Sequence, residues 1–414
     1  MKIYKFGGAS IKDAESIRNV VSVLNNTGIE KTFVVISAMG KTTNALERVA
    51  QAYFNQENYE KAIETVEENH KTVLNNLFLP QDIIFEEIKK HFEELRSFLK
   101  KNKSPNYNFI YDQVVSYGEM FSTKIVSAYL NNQGLKNTWL DVRDYIKTDT
   151  TYREAQVNWD TTRAKIMALD KNCFYITQGF LGSDENCFTT TLGREGSDYS
   201  ASIFAYCLNA ESVTIWKDVK GVLNADPRYF ENTTLLKHIS YEEAIELAYY
   251  GASVIHPKTL QPLQNKEIPL YVKSYDNPQS EGTSIKKGQP LEPKTACFIV
   301  KKNQILISIS TLNFSFIVEE NISEIFNFVS NHGMKVNMIQ SSAISFLLCI
   351  DDKFDRIKQL VKELKTNYAI KLVENVSLYT IRHYNSKAVE EITSKYDILV
   401  SQKMKETAQL VVVE

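Results

Sequence analysis

Lys2-Ile3-Tyr4-Lys5-Phe6 reads as a short strand, and Gly7-Gly8-Ala9-Ser10 follows it without a gap. Apolar residues then recur at Ile11, Ala14, Ile17, Val20, Val21 and Leu24, the spacing of one helix face. Strand, glycine turn and helix in succession is a layout that binds phosphate. Glycines let the backbone approach oxygens closely, and a helix start offers free N–H groups and the positive end of a dipole. Ser10 with Asp13 three residues later suits the helix cap. Lys5 at the strand end would add a fixed positive charge beside a bound anion. The plain alternative is a turn that uses glycine only for steric reasons, so the rest of the chain has to decide.

The chain has 414 residues, which points to two or three domains. Its 43% hydrophobic and 24% charged residues are ordinary for a globular protein, and a net charge of -2 gives no electrostatic footprint for nucleic acid. No apolar run reaches bilayer length, so no membrane partner is expected. Met1 leads straight into a strand with no secretory pattern. Cys173, Cys187, Cys207, Cys297 and Cys349 are scattered and form no Cys-x-x-Cys pair, which argues against a zinc site or a disulfide framework. The expected setting is a reduced, cytoplasmic one.

Strand and helix signals alternate up to about residue 275. Thr32 to Ser37, Val213 to Trp216 and Leu270 to Val272 are buried-strand runs, and Ser197 to Leu208 and Tyr241 to Tyr250 read as helices. Strands apolar on both faces, separated by helices, imply a mostly parallel sheet in an α/β sandwich. We expect a catalytic domain over 1–280, with a helical insertion over 50–104 whose outer face is solvated. A turn-rich linker follows over 281–295. Residues 296–414 then carry two shorter copies of a strand, helix, strand, strand pattern, as in paired ferredoxin-like modules. There, Gln304 to Ser310 reads as the first strand.

Four further segments could carry chemistry. Thr189 to Ala201 crowds threonines, glycines, Arg194, Ser197 and Asp198 into a turn before a helix. Arg194 has the planar fork that grips a carboxylate or phosphate. Two roles are open to Asp198: a helix cap, or orientation of Lys5 or a magnesium ion. Trp216 to Arg228 places Lys217, Asp218 and Arg228 after a buried strand, at the end where open α/β sheets bind ligands. Glu119 lies in an otherwise apolar helical stretch and is either solvent-facing or a partner for a substrate ammonium. Gly40-Lys41-Thr42 imitates the tail of a Walker A loop, but the motif needs glycine at position 35, which is Val35.

In combination these segments resemble aspartate kinases of the amino-acid kinase superfamily, over nearly the whole chain. The family opens with Lys-Phe-Gly-Gly, here Lys5 to Gly8. It carries a Ser-Ala…Thr-Asn segment, here Ser37, Ala38, Thr43 and Asn44. Gly118-Glu119 matches its Gly-Glu pair. Thr190 to Asp198 matches its Thr-Thr-Leu-Gly-Arg-Gly-Gly-Ser-Asp signature, with Glu195 replacing a glycine. Trp216 to Arg228 matches the nucleotide segment, and Gly251 to Pro257 a Gly-Ala-x-Val-x-His-Pro motif.

The resemblance implies an amino-acid kinase-like three-layer α/β sandwich with C-terminal ACT modules. It implies ATP- and Mg²⁺-dependent phosphorylation of the L-aspartate side chain, the first step of lysine, threonine and methionine biosynthesis. Lys5 and Asp198 would be catalytic. Lys5, Gly7, Gly8, Ser10, Lys217, Asp218, Arg228 and Ser253 would serve ATP; Thr43, Glu119, Arg194 and Ser197 would hold aspartate. His256 would be structural. Leu223 stands where many members have tyrosine near the adenine, and Ser253 where some have lysine. ACT modules imply a homodimer, which in turn could pair into a tetramer, and an amino-acid effector. An Asp that often meets the effector amine appears here as Asn337, and a following acidic position as Ala343, so weak or absent lysine inhibition is expected.

Overall fold

The structure, a computed structural model, describes residues 1–252, 255–313 and 315–414. These fall into two compact units. The first is Met1–Val222, Leu235–Ile245 and Val254–Glu292; the second is Leu223–Thr234, Glu246–Ser253 and Pro293–Glu414.

The strands of the first unit, in chain order, are β1 (Lys2–Phe6), β2 (Thr32–Ile36), β3 (Thr138–Leu140), β4 (Tyr175–Gln178), β5 (Leu181–Ser183), β6 (Thr189–Thr191), β7 (Ser212–Lys217), β8 (His238–Ser240), β9 (Leu270–Ser274) and β10 (Thr283–Lys286). Eight of them form one sheet in the order β3-β4-β2-β1-β7-β9-β10-β8. Neighbours are parallel except β9 with β10. β5 and β6 make a separate antiparallel pair.

Side-chain alternation along β1 fixes the two faces of this sheet. Tyr4 and Phe6 enter one core, where Phe6 stacks on Trp216 with ring centroids 6.1 Å apart. That core is covered by helices Ala14–Thr27, Thr42–Phe54 and Tyr117–Asn132, and by Glu60–Leu77 and Ile84–Lys101, whose apolar residues recur every three or four positions. Ile3 and Lys5 therefore point the other way. On that face Phe33 meets Phe204 of helix Gly196–Leu208 at 4.3 Å. The parallel sheet with helices on both sides is as expected.

One local reading changes. The cap of the first long helix is Asp13, whose carboxylate accepts from the Ser16 N–H at 2.8 Å; Ser10 lies in a short 3₁₀ turn, Gly8–Ile11. Its hydroxyl instead donates to the Trp216 carbonyl at 3.4 Å, linking the ends of β1 and β7. Asp is as good a cap as Ser, and the 3₁₀ turn shifts the helix start to Ala14. Val35 is buried within β2, in keeping with the rejection of a Walker A loop there.

The second unit contains β11 (Cys297–Thr311), β12 (Lys335–Ser341), β13 (Ser345–Asp351), β14 (Tyr368–Arg382), β15 (Asp397–Lys403) and β16 (Thr407–Val413). They form an antiparallel sheet in the order β12-β13-β11-β14-β16-β15. Helices Glu319–Asn331 and Ile357–Leu364 cover one half, and Ser386–Thr393 the other. β11 starts well before Gln304. Lys301-Lys302-Asn303 breaks the apolar alternation, but the chain passes through it as an irregularity in the pairing with β14, with Asn303 at φ 55. One long strand thereby serves both modules.

Candidate active site

β1 is where the sheet order reverses: β2 and β4 lie to one side, β7 and β9 to the other. The ends of strands at such a switch point diverge and leave a crevice. Here the crevice is a cavity of about 830 Å³, lined by Lys5 of β1, Gly8 after it, Ala38 after β2, Phe180 after β4 and Lys217 of β7. Gly8 is required by close approach. A Cβ there would lie 2.8 Å from the carbonyl oxygens of both Ala38 and Gly40, and the Gly40 N–H donates to the Gly8 carbonyl at 3.1 Å.

Lys5 is 8% exposed, and its Nζ lies 2.6 Å from Oδ1 of Asp198, itself 2% exposed. Lys217 Nζ is 3.9 Å from the other Asp198 oxygen. Burial by itself would raise the Asp198 carboxyl, but Lys5 and Lys217 outweigh it and hold the group below the usual carboxylate range. Asp198 is thus an ionised group between two cations. It does not act as the cap: the capping position is Glu195, whose side chain makes no cap bond.

Glu119 is 2% exposed, which excludes a solvent-facing role. Its Oε1 accepts from the Ala38 N–H at 3.1 Å, while its Oε2 is buried with no hydrogen-bond partner. Burial pushes this carboxyl up to about 8, against the smaller opposing effects of the Ala38 N–H and Lys5. A buried carboxylate with one oxygen unused in a cavity is built to receive a cation. Thr43, at the start of helix Thr42–Phe54, lines the same cavity, as do Arg194 and Ser197. Arg194 is exposed and makes no hydrogen bond or ion pair among the described residues. Glu195, in the position the resemblance gives to glycine, has φ 54, a left-handed conformation costing about 1 kcal/mol for a residue with a Cβ.

Not every sequence-predicted residue lines this cavity. Gly7 does not; a Cβ there would meet only Lys5 Nζ, at an ordinary contact distance of 3.4 Å. Ser10 is buried behind the turn, and Asp218 lies past the β7 end. Arg228 belongs to the other unit, where its guanidinium pairs with Asp226 and is largely exposed. Ser253 lies outside the described residues. His256 caps helix Pro257–Asn265, with Nδ1 accepting from the Lys258 N–H at 3.2 Å. Tyr111 and Arg153 line the cavity without having been singled out from sequence. Arg153 occupies an irregular stretch in which no periodicity marks a role.

Residues 1–274 match the sequence profile of the "Amino acid kinase family". The chain is 31% identical over 355 residues to "Lysine-sensitive aspartokinase 3" of Escherichia coli (strain K12), covering 84% of this chain and 78% of that protein. It is 29% identical over 387 residues to a "Bifunctional aspartokinase/homoserine dehydrogenase, chloroplastic" of Daucus carota, of which it spans 42%. The crystal structure of E. coli aspartokinase III in complex with aspartate and ADP superposes with a TM-score of 0.82 at 26% identity, covering 100% of this chain and 96% of that one.

Proposed function

The chain belongs to the amino acid kinase family, in its aspartokinase branch, and from that premise we propose that its cavity transfers the γ-phosphoryl group of Mg-ATP to the side-chain carboxylate of L-aspartate. The observation that carries this reading is the presence in one cavity of a buried lysine aligned by Asp198 and a buried glutamate with an unused oxygen. The product is 4-phospho-L-aspartate, and the bond broken is that between the γ-phosphorus and the ADP oxygen.

The acceptor carboxylate is ionised at neutral pH, so no general base is needed. The difficulty is bringing one anion onto another. Lys5 supplies positive charge where the phosphoryl group passes, and the N–H groups around Gly8 add aligned dipoles. Magnesium arrives with ATP as part of the substrate and neutralises phosphate charge. Lys217 at the end of β7 belongs to the nucleotide side; Asp218, Arg228 and Ser253 keep their proposed nucleotide roles by resemblance alone. On the amino-acid side Glu119 receives the α-ammonium and Arg194 the α-carboxylate, with Thr43 and Ser197 beside them. The side-chain carboxylate then faces the γ-phosphate.

A coupled assay with ATP, Mg²⁺ and L-aspartate tests the reading. ADP release should depend on aspartate and fail with N-acetylglutamate, which has no ammonium for Glu119. Equal or better turnover of N-acetylglutamate rejects the reading in favour of another kinase of the same family.

Glu119 also makes aspartate binding pH-dependent. Below about pH 8 the free enzyme holds this carboxyl protonated, and it must lose the proton to pair with an ammonium. The aspartate KM should therefore fall as pH rises from 6 to 8, by at most about tenfold per unit, and Glu119→Gln should flatten the profile. The stability sign is opposite. The folded-state pKa lies above the ordinary glutamate value of 4.5, so the native state holds the extra proton, and stability is lost as pH rises from 4.5 to about 8. A KM independent of pH in this window contradicts the assignment.

A homodimer through the second unit is part of the same proposal. β12 and β15 are sheet edges, carrying exposed Ile339 and Leu399, and edges of this kind invite pairing. At the effector position, Asn337 is engaged at both ends of its amide: it accepts from Lys301 Nζ at 2.8 Å and donates to Gln304 Oε1 at 2.6 Å. Micromolar lysine should leave the rate unchanged, and inhibition in that range would overturn the expectation. No helix of the described residues is long and apolar enough to cross a membrane.

A further inference from the structure

Arg153 is an unusual residue on three counts. Its backbone is in the left-handed region, at φ 71, uncommon for a bulky side chain. Its N–H donates to both oxygens of Asp112, at 3.1 and 3.0 Å. Its guanidinium lies 4.2 Å over the ring of Tyr111 and contacts a single oxygen of Glu47 at 3.4 Å.

Asp112 is the anchor. It lies in helix Tyr107–Val115, is 0% exposed, and also accepts from the Thr191 N–H and hydroxyl, both at 2.8 Å. One buried carboxylate thus ties together the helix bearing Tyr111, the turn bearing Arg153, and β6, which leads into Gly193 and Arg194. Three donors make four contacts, so both oxygens of this buried carboxyl are hydrogen-bonded.

Two further contacts place Arg153 at the amino-acid end of the cavity. Glu47 lies one helical turn after Thr43 in helix Thr42–Phe54. On the other side, a Cβ on Gly193 would come within 3.3 Å of the Arg153 carbonyl oxygen. Arg153 thus touches the helix that carries Thr43 and the turn that carries Arg194, and all three residues line the cavity. The guanidinium lies over the Tyr111 face, a contact that uses none of its N–H groups. The Glu47 contact engages one nitrogen, and both partners are about 40% exposed (39% and 42%), the type of pair that yields readily. The other guanidinium N–H groups make no hydrogen bond among the described residues, and Arg153 lines the cavity.

We propose that Arg153 is a second carboxylate-binding residue of the amino-acid end, set in position by Asp112, so that the site favours a dicarboxylic amino acid over a monocarboxylic one. This rests on the reading of the cavity as an aspartate site. Arg153 exchanges Glu47 for a substrate carboxylate, while Asp112 acts only by holding the turn and is a positioning residue.

Arg153→Gly is the decisive variant. It removes the guanidinium, keeps the N–H that Asp112 receives, and suits the positive φ, so folding is not at risk. The aspartate KM should rise about tenfold, with kcat and the ATP KM within about twofold of wild type. Asp112→Asn should raise the aspartate KM in the same direction, since one acceptor becomes a donor facing donors. An unchanged aspartate KM in Arg153→Gly overturns the inference while wild-type turnover of aspartate leaves the function standing. Absence of aspartate-dependent turnover in the wild type overturns both.

Discussion

Lys5→Ala will bind aspartate and fail to turn it over. The expected loss in kcat is at least about 1,000-fold, the upper range for removing one preorganised charge from a site where anionic charge develops. Aspartate affinity should stay within about threefold, because the groups proposed for the amino acid lie on Glu119, Arg194, Thr43 and Ser197. The change also leaves Asp198 buried beside Lys217 alone, at 3.9 Å. Breaking a buried pair costs about 3–5 kcal/mol, so the folded state should be checked by circular dichroism before rates are compared. Lys5→Met, which keeps most of the volume, gives a second measure of the same loss. Near-normal kcat in either variant would end the catalytic assignment of Lys5.

Arg194→Ala should act on the other parameter. Its aspartate KM is expected to rise about 100-fold, equivalent to about 2.7 kcal/mol, the scale of a charge-assisted bidentate contact. The ATP KM should barely move. Arg194 sits between Gly193 at φ 80 and Glu195 at φ 54, a turn that leaves its side chain exposed and unpaired among the described residues. No other described residue loses a hydrogen bond or ion pair when it is removed, so a change in KM reports on substrate. An unchanged KM rejects the clamp. Lys5 and Arg194 together should therefore separate chemistry from recognition within one cavity.

How far such roles were legible before the fold depended on periodicity. β1 and the helix Tyr241–Tyr250 appear where the apolar spacing puts them, and Gly196–Leu208 begins one residue earlier than read. The convergence of Lys5, Glu119, Arg194, Ser197 and Lys217 on one cavity follows from strands whose ends share an edge of the sheet. Three features stayed hidden for identifiable reasons. The 3₁₀ turn moved the cap from Ser10 to Asp13, because either residue could accept the helix N–H. β11 ran through a charged break that only its pairing with β14 explains. Asp112 and Arg153 form their link between residues 41 positions apart, and neither has a local pattern that marks it.

The central claim is that groups from β1, β2, β7 and helix Gly196–Leu208 meet to let two anions touch. A crystal structure of the full chain with aspartate, Mg²⁺ and a non-hydrolysable ATP analogue tests it most directly. The account predicts Lys5 Nζ within about 3 Å of a γ-phosphate oxygen and Glu119 Oε2 on the aspartate ammonium. Aspartate bound outside this cavity, or a triphosphate whose terminal group lies beyond reach of Lys5, would contradict it.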